Sequence, residues 1–340
     1  MGKIAWLVLG VGAIVVSVAC GASEHAARSK KTRPAGWPDQ LRLGMAGVND
    51  AEAALERNAP VARRIQDATG IPTKFFTLTS YSSVVEAMRA KRIDGMQVGV
   101  FSYILAVEQA RAEAVAVYIS SYGEPAVYDP LLRPDYYSVI CVKKGNGIRS
   151  LADLKGRTFN FVEPASTSGH LVPRNELIRA GLVPDKDVKT RFAGDHAASI
   201  ISLWNGKADA AAASEPSLRL LGRRQIEYCG FPDHEIGRAR TAVEIKAVFD
   251  ACPDGRIAAI HYSFPIPGTP FALRADLPAD LKAAIKASLL ATPGDAEFIR
   301  AAKRWYVDPS VEKGLPNLDA YYDEMRAMAR LLDLDLHGLD

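Results

Sequence analysis

Hydroxyl and imidazole groups cluster where three helices are expected to begin: Thr79-Ser80-Tyr81-Ser82-Ser83, Ser166-Thr167-Ser168-Gly169 and Gly194-Asp195-His196. Each stretch follows a strand-like run. A helix needs a single cap residue, so the additional hydroxyls need another account. A helix N-terminus leaves about four N–H groups unpaired and carries roughly half a positive charge. Hydroxyl donors beside it make an oxyanion site without lysine, and Gly169 lets backbone approach a ligand closely. For any one start, plain capping is a sufficient account. Three such starts in one chain point to anion binding.

Which anion would depend on acceptors. A donor-only site cannot tell monohydrogen phosphate from sulfate. A carboxylate facing it favours a species that carries O–H and repels sulfate, because a buried unpaired charge is costly. Glu163, Asp195, Asp209 and Glu215 are the candidate acceptors. Asp195 also suits a helix cap and Asp209 a turn. Glu215 lies just past an apolar strand and is the preferred candidate.

The elements that must position these groups alternate from residue 41 onward. "LRLGMAG", "PTKFFTLT", "DGMQVGV" and "AVAVYISSY" read as strands. Between them "AALERNAPVARRIQDATG", "YSSVVEAMRAKR" and "SYILAVEQARA" read as helices, the first stopped by Gly70. A second set runs through "YYSVICVKK", "TFNFV", the helix-like Val172–Ala180, "VKTRFAG", "HAASIISLWNGK" and "ADAAAAS". "IAAIHYSFPIPGTPFALRAD" then returns toward the first set. This alternation predicts an α/β fold with parallel sheets in two lobes. Lobe 1 is expected over 41–135 plus 260–340, with lobe 2 inserted over 136–259. A ligand belongs between the lobes, at the carboxyl ends of the strands.

The length of 340 residues suits about two domains of roughly 100–200 residues each. With 48% hydrophobic and 24% charged residues the composition is that of a globular protein. A net charge of +3, without Lys/Arg runs interleaved with aromatics, argues against nucleic acid. The basic clusters Arg28–Arg33 and Arg223, Arg224, Arg238, Arg240 read as solvated surface. Lys3, the apolar run Ile4–Val18 and Ser17-Val18-Ala19-Cys20-Gly21 read as a secretory signal over residues 1–20. The run is short against a membrane span of roughly 20 residues. Residues 21–40 are polar with prolines and read as a tether.

Export bears on the cysteines. Cys141 lies in an apolar strand and reads as a buried small hydrophobe. Cys229 and Cys252 flank "GFPDHEIGRARTAVEIKAVFDA" and are either a disulfide, plausible in an oxidising compartment, or two thiols. No C-x-x-C or H-E-x-x-H spacing supports a metal site, and no cofactor is called for.

Several of these segments together resemble a known family. "YSSVVEAMRAKRIDG", "SYILA", "YYSVICVKKGNGIRSLADLKGRTFNFVEPASTSGHLVPRNEL", "FAGDHAASIISLWNGKADAAA" and "YSFPIPGTPFALRADLPADLKAAI" resemble the phosphate/phosphite/phosphonate-binding proteins of ABC importers, in order over roughly residues 41–300. The resemblance implies a type II periplasmic-binding-protein fold with a hinge, no enzymatic activity, and a monomer that delivers a phosphorus oxyanion to an ABC permease. It implies that Ser166, Thr167 and Ser168 hold the oxyanion, that His196 adds a donor, and that Tyr81 and Tyr103 close over the ligand. The Ala-Cys-Gly ending resembles a lipoprotein signal acylated on Cys20, although Ser17 stands where that signal usually has Leu. Ordinary cleavage near Ala22 and a retained anchor are the alternatives. The chain departs from the family at Gly99-Val100, where Gly-Pro is common. It also has aromatic Tyr262-Ser263-Phe264-Pro265 where members that bind aminophosphonates want an acid. A small or apolar substituent is therefore expected on the ligand. The segment between Cys229 and Cys252 is longer than the family's usual connection.

Two other functions use the same residues. An oxyanion sensor docking on a histidine-kinase ectodomain needs the same cleft. A serine hydrolase built on Ser166 or Ser168 with His196 lacks the G-x-S-x-G elbow.

Overall fold

The computed structural model describes residues 34–46, 51–219, 221 and 225–337, together with Gly2. The expected signal, Cys20 and most of the expected tether lie outside the described residues, as do Arg223 and Arg224. The compact body spans Pro34–Asp340. Within it Trp37, from the stretch expected as tether, packs on the first core and donates to Asp280 at 3.1 Å.

Among the described residues two six-stranded sheets form the body. The first holds β1 (Leu41–Met45), β2 (Thr73–Thr77), β3 (Gly95–Gln97) and β4 (Ala112–Ser120). The second holds β6 (Ser138–Lys143), β7 (Thr158–Phe161), β8 (Lys189–Phe192), β9 (Ala210–Ser214), β10 (Tyr228–Cys229) and β11 (Ile257–Tyr262). Late in the chain β13 (Pro270–Arg274) and β14 (Arg304–Val307) complete the first sheet, in the order β14-β4-β13-β3-β1-β2. The second runs β10-β11-β6-β9-β7-β8. Between the sheets β5 (Asp135–Tyr136) pairs with β12 (Ile266–Pro267), so both strand crossings pass side by side.

The sheets are mixed rather than parallel. β1 is parallel to β2 and β3, and β7 to β8 and β9. In contrast, β13 is antiparallel to β3 and β4, and β6 to β9 and β11. β13 and β6 enter their sheets directly from the crossing, without the helical crossover that parallel neighbours require, whereas β14, antiparallel to β4, arrives after two helices. Periodicity does not distinguish the two routes.

Alternation along the strands separates the core layers. Ile140, Val142, Ala210 and Ala212 face one cluster, while Val139, Cys141, Ala211 and Ala213 face another. Helices on both faces leave β9 wholly buried, and its run of alanines lets them approach closely. The helices α2 (Tyr81–Arg89), α3 (Val100–Ala110), α4 (Val172–Arg179), α5 (His196–Trp204) and α6 (Glu215–Leu218) each start at the carboxyl end of a strand. The earlier α1 (Ala51–Thr69) ends at Gly70, whose φ of +70° stops it. Among the described residues no helix is long and apolar enough to cross a membrane.

Candidate functional site

A cavity of about 240 Å³ opens between the lobes, where these helices begin. Tyr81, Ser166, Thr167, Ser168 and His196 line it. So do Gln97, Gly99, Tyr118, Ser120, Tyr122, Tyr136, Ser214, Ser217 and Thr269. Among the described residues its charged lining is Arg133 and Asp135, and Arg133 is paired with Glu312 at 3.0 Å. The surface is thus rich in neutral donors. It is also smaller than the roughly 300–1,000 Å³ of pockets for drug-sized ligands.

The Ser-Thr-Ser-Gly stretch is wound as a single π-turn, Thr167–Leu171, leading into α4. Leu171 N–H reaches back to Ser166 C=O at 3.0 Å, closing the wide turn. π-turns within helices recur at functional sites. Ser166 Oγ accepts Gly169 N–H at 3.1 Å and is the local cap. Thr167 Oγ1 crosses to the first lobe and accepts Phe101 N–H, at the start of α3, at 2.8 Å. Gly99 makes room for that crossing, since a Cβ there would lie 2.7 Å from Thr167 Oγ1. By position, the amides of Thr167 and Ser168 are the helix-start donors without intrahelical partners.

His196 opens α5, capped by Asp195, which accepts Ala198 N–H at 2.7 Å. The ring is buried, and burial pushes its pKa down to about 4, so it is neutral at neutral pH. Nδ1 accepts Ser214 N–H at 3.1 Å. The neutral ring therefore carries its proton on Nε2 and is a donor there. Tyr81 stands edge-on to it, with ring centroids 6.4 Å apart. Burial raises the phenols of Tyr81, Tyr122 and Tyr136 well above their ordinary value, keeping them protonated. For Tyr136 burial outweighs the nearby hydroxyls of Thr167 and Ser168, which act in the opposite direction.

The third helix start serves a different purpose. Ser80 and Ser83 form the capping box of α2, and Ser82 donates its N–H to Glu163 Oε1 at 3.1 Å. The anion held there is the protein's own carboxylate, supplied by the opposite lobe.

Other expected residues lie elsewhere. Tyr103 is fully buried in the core on the opposite face of the first sheet from Trp37, where its hydroxyl donates to Asp319 at 2.7 Å and accepts Ala114 N–H at 3.2 Å. It faces inward because the apolar α3 buries this side of the helix against the sheet and the helix Asp323–Leu331. Glu215 is behind the cavity wall, accepting Gly237 N–H at 3.0 Å and lying 3.8 Å from Arg240. Burial raises its pKa to about 7, partly offset by those two partners. Asp209 is bound to Thr158 N–H and hydroxyl at 2.8 and 2.7 Å. Glu163 and Asp195 are occupied as described. His170 is enclosed by Phe161 and Phe192, and its Nδ1 lies 2.8 Å from Pro164 C=O.

Among the described residues the acid that lines the cavity is Asp135, on β5, which sequence reasoning missed together with Tyr136. Their only signal was position, directly before the strand that starts the second lobe. Burial raises the Asp135 carboxyl, and Tyr321 donates to it at 3.1 Å. Cys229 and Cys252 are joined in a disulfide, while Cys141 is buried and free. Among the described residues no group of His, Cys, Asp or Glu is placed to hold a metal ion.

Residues 43–312 match the family model of the ABC-transporter phosphonate periplasmic substrate-binding protein. The chain belongs to this family. It is 27% identical over 213 residues to the phosphate-import protein PhnD of Mycolicibacterium smegmatis, covering 60% of this chain and 64% of the relative. It is 24% identical over 182 residues to the phosphonates-binding periplasmic protein of Escherichia coli, covering 52% of this chain and 51% of the relative. The matches thus span about half to two-thirds of these relatives' length. Among solved structures, PhnD1 of Prochlorococcus marinus in complex with methylphosphonate superposes with a TM-score of 0.64 at 17% identity, covering 88% of this chain and 100% of that one. The binding component of a phosphonate transporter from Pseudomonas aeruginosa gives 0.61 at 19% identity, covering 86% of this chain and 98% of that one. These likenesses show the two-lobed type II periplasmic-binding-protein fold.

Proposed function

We propose that the protein is the extracytoplasmic binding component of an ABC importer and captures a small phosphorus oxyanion between its lobes. The observation that carries this reading is the convergence of the Ser166–Ser168 turn and the Nε2–H of His196 on one cleft of about 240 Å³. Such preorganised donors suit a phosphonate, phosphite or phosphate oxyanion. The names of the PhnD-type relatives support the same ligand class. In this reading Tyr81, Ser166, Thr167, Ser168 and His196 hold the ligand. A permease accepts it from the closed monomer, and lipid on Cys20 keeps the protein at the membrane outside the cytoplasm.

A thermal-shift panel tests the ligand class directly. It compares phosphate, phosphite, hypophosphite, methylphosphonate, 2-aminoethylphosphonate and sulfate. A ligand at about 100 times its Kd adds roughly 2.7 kcal/mol. The expected result is a raised melting temperature with at least one phosphorus compound. A panel in which none of them moves the curve rejects this function.

A further inference from the structure

The segment between Cys229 and Cys252 is anchored to the wall of the cleft. The disulfide closes it at its ends. Within it Arg240 has a fully buried side chain, lies 4.1 Å from the centre of the Phe231 ring, and sits 3.3 Å from Glu235 and 3.8 Å from Glu215. Phe231 in turn packs edge-on against Tyr262 of β11, with centroids 5.7 Å apart. These contacts hold the turn at Ile236-Gly237 against the second lobe.

That turn reaches the ligand cavity. Ile236 is 6% exposed, and both it and Gly237 line the space between the lobes. Gly237 has a φ of +86°, and a Cβ there would lie 3.3 Å from the Asp135 carbonyl on β5, so the turn abuts the crossing strand. The Gly237 N–H is bonded to Glu215, which draws that carboxylate behind the wall. The surface offered by the insertion is therefore the apolar side chain of Ile236.

We propose that the disulfide-closed insertion is a specificity wall, with Ile236 limiting the bound anion to a short substituent on phosphorus. The proposal rests on the oxyanion reading of the cleft and adds the size of group the site accepts. A longer alkyl chain directed at this wall displaces Ile236 or leaves the lobes short of closure. A methyl group or hydrogen leaves the wall in place.

Calorimetry on the mature protein with methylphosphonate and n-butylphosphonate tests it, using wild type, Ile236→Ala and the double variant Cys229→Ser/Cys252→Ser. The expected result is a preference for methyl in wild type. In Ile236→Ala the ratio of the two Kd values shifts toward butyl by about tenfold, the scale of small changes in an apolar pocket. The double variant shifts it the same way. An unchanged ratio in Ile236→Ala, with both ligands still bound, overturns the wall and leaves the oxyanion reading intact. Wild type that binds neither these ligands nor phosphite or phosphate overturns both. Hydrogen exchange in wild type needs no variant: methylphosphonate is expected to slow exchange across residues 233–238, and unaltered exchange there also overturns the proposal.

Discussion

Glu163, just past β7 in the second lobe, accepts hydrogen bonds from both the N–H and the hydroxyl of Ser82 at the start of α2 in the first lobe. Its other oxygen accepts Ala165 N–H at 2.8 Å, so the side chain is fixed from its own lobe before it crosses. One carboxylate thereby joins the two walls of the cleft. It also fills a helix N-terminus that would otherwise attract the ligand.

Glu163→Ala is expected to weaken ligand binding without unfolding either lobe. Hydrogen bonds to charged groups contribute about 1.5–3 kcal/mol, so loss of this one from the closed form lowers affinity roughly ten- to a hundredfold. Titration calorimetry measures it. Equal affinity in the variant and wild type refutes a closing role for the Ser82 contact.

Gly99 offers a second, independent handle on closure. Its φ of −57° is ordinary for alanine, so the substitution is tolerated by the backbone. The added Cβ meets Thr167 Oγ1 at 2.7 Å only because the lobes are together. Gly99→Ala is expected to reduce affinity by about tenfold or more while the ligand-free melting temperature moves by no more than roughly 2–4 °C, the scale of 1 kcal/mol in a large domain. A large melting shift with unchanged affinity reverses this account.

His196→Asn separates the two roles of the imidazole. An asparagine oxygen can accept Ser214 N–H as Nδ1 does, but the variant lacks the Nε2–H donor. Binding is expected to weaken by about tenfold, near the 1.5–3 kcal/mol of a hydrogen bond to a charged group. Full affinity in a folded variant removes His196 from the site. Because the ring is neutral to about pH 4, affinity in wild type is not expected to follow imidazole titration between pH 8 and 5.

Stability has two opposed pH dependences. Burial lowers His170 and His196 to about 4, against an unfolded value near 6.5. As pH falls from 6.5 to 4 the unfolded chain takes up protons that the fold excludes, and stability declines. Glu215 acts in the other direction: it keeps its proton to about pH 7 when folded but releases it near 4.5 when unfolded. Stability therefore also declines as pH rises through that window. Relative to wild type, Glu215→Gln should gain in melting temperature from pH 5 to 8, and His170→Asn should gain from pH 6.5 to 4. Melting curves across pH that run parallel to wild type contradict these assignments.

Much of the scaffold was legible because its signals are local. Gly70 stops α1 as its type and position suggest, and Asp195 and Ser80 cap their helices through side chains only three residues from their partners. The surplus hydroxyls at Ser166–Ser168 were likewise visible, since their density at one helix start departs from simple capping. The mixed strand directions were not legible. The antiparallel β6 and β13 depend on the end of the strands from which the chain enters each sheet at the crossing, and hydrophobic alternation is the same in either direction.

The acids and tyrosines divide along the same line. By itself the sequence determined which donors begin each helix, that two lobes alternate strands and helices, and that the chain matches a family of oxyanion binders. Only the tertiary structure decided that Glu163 is the protein's own anion at α2, that Tyr103 is core, and that Glu215 anchors the insertion. Asp135 and Ile236, which no motif marked, reach the cleft because the crossing strand and the inserted turn converge there. A capping bond is set by neighbours a few residues away. The surroundings of a carboxylate are set by the opposite lobe, from residues distant in the chain whose approach depends on how the two sheets close.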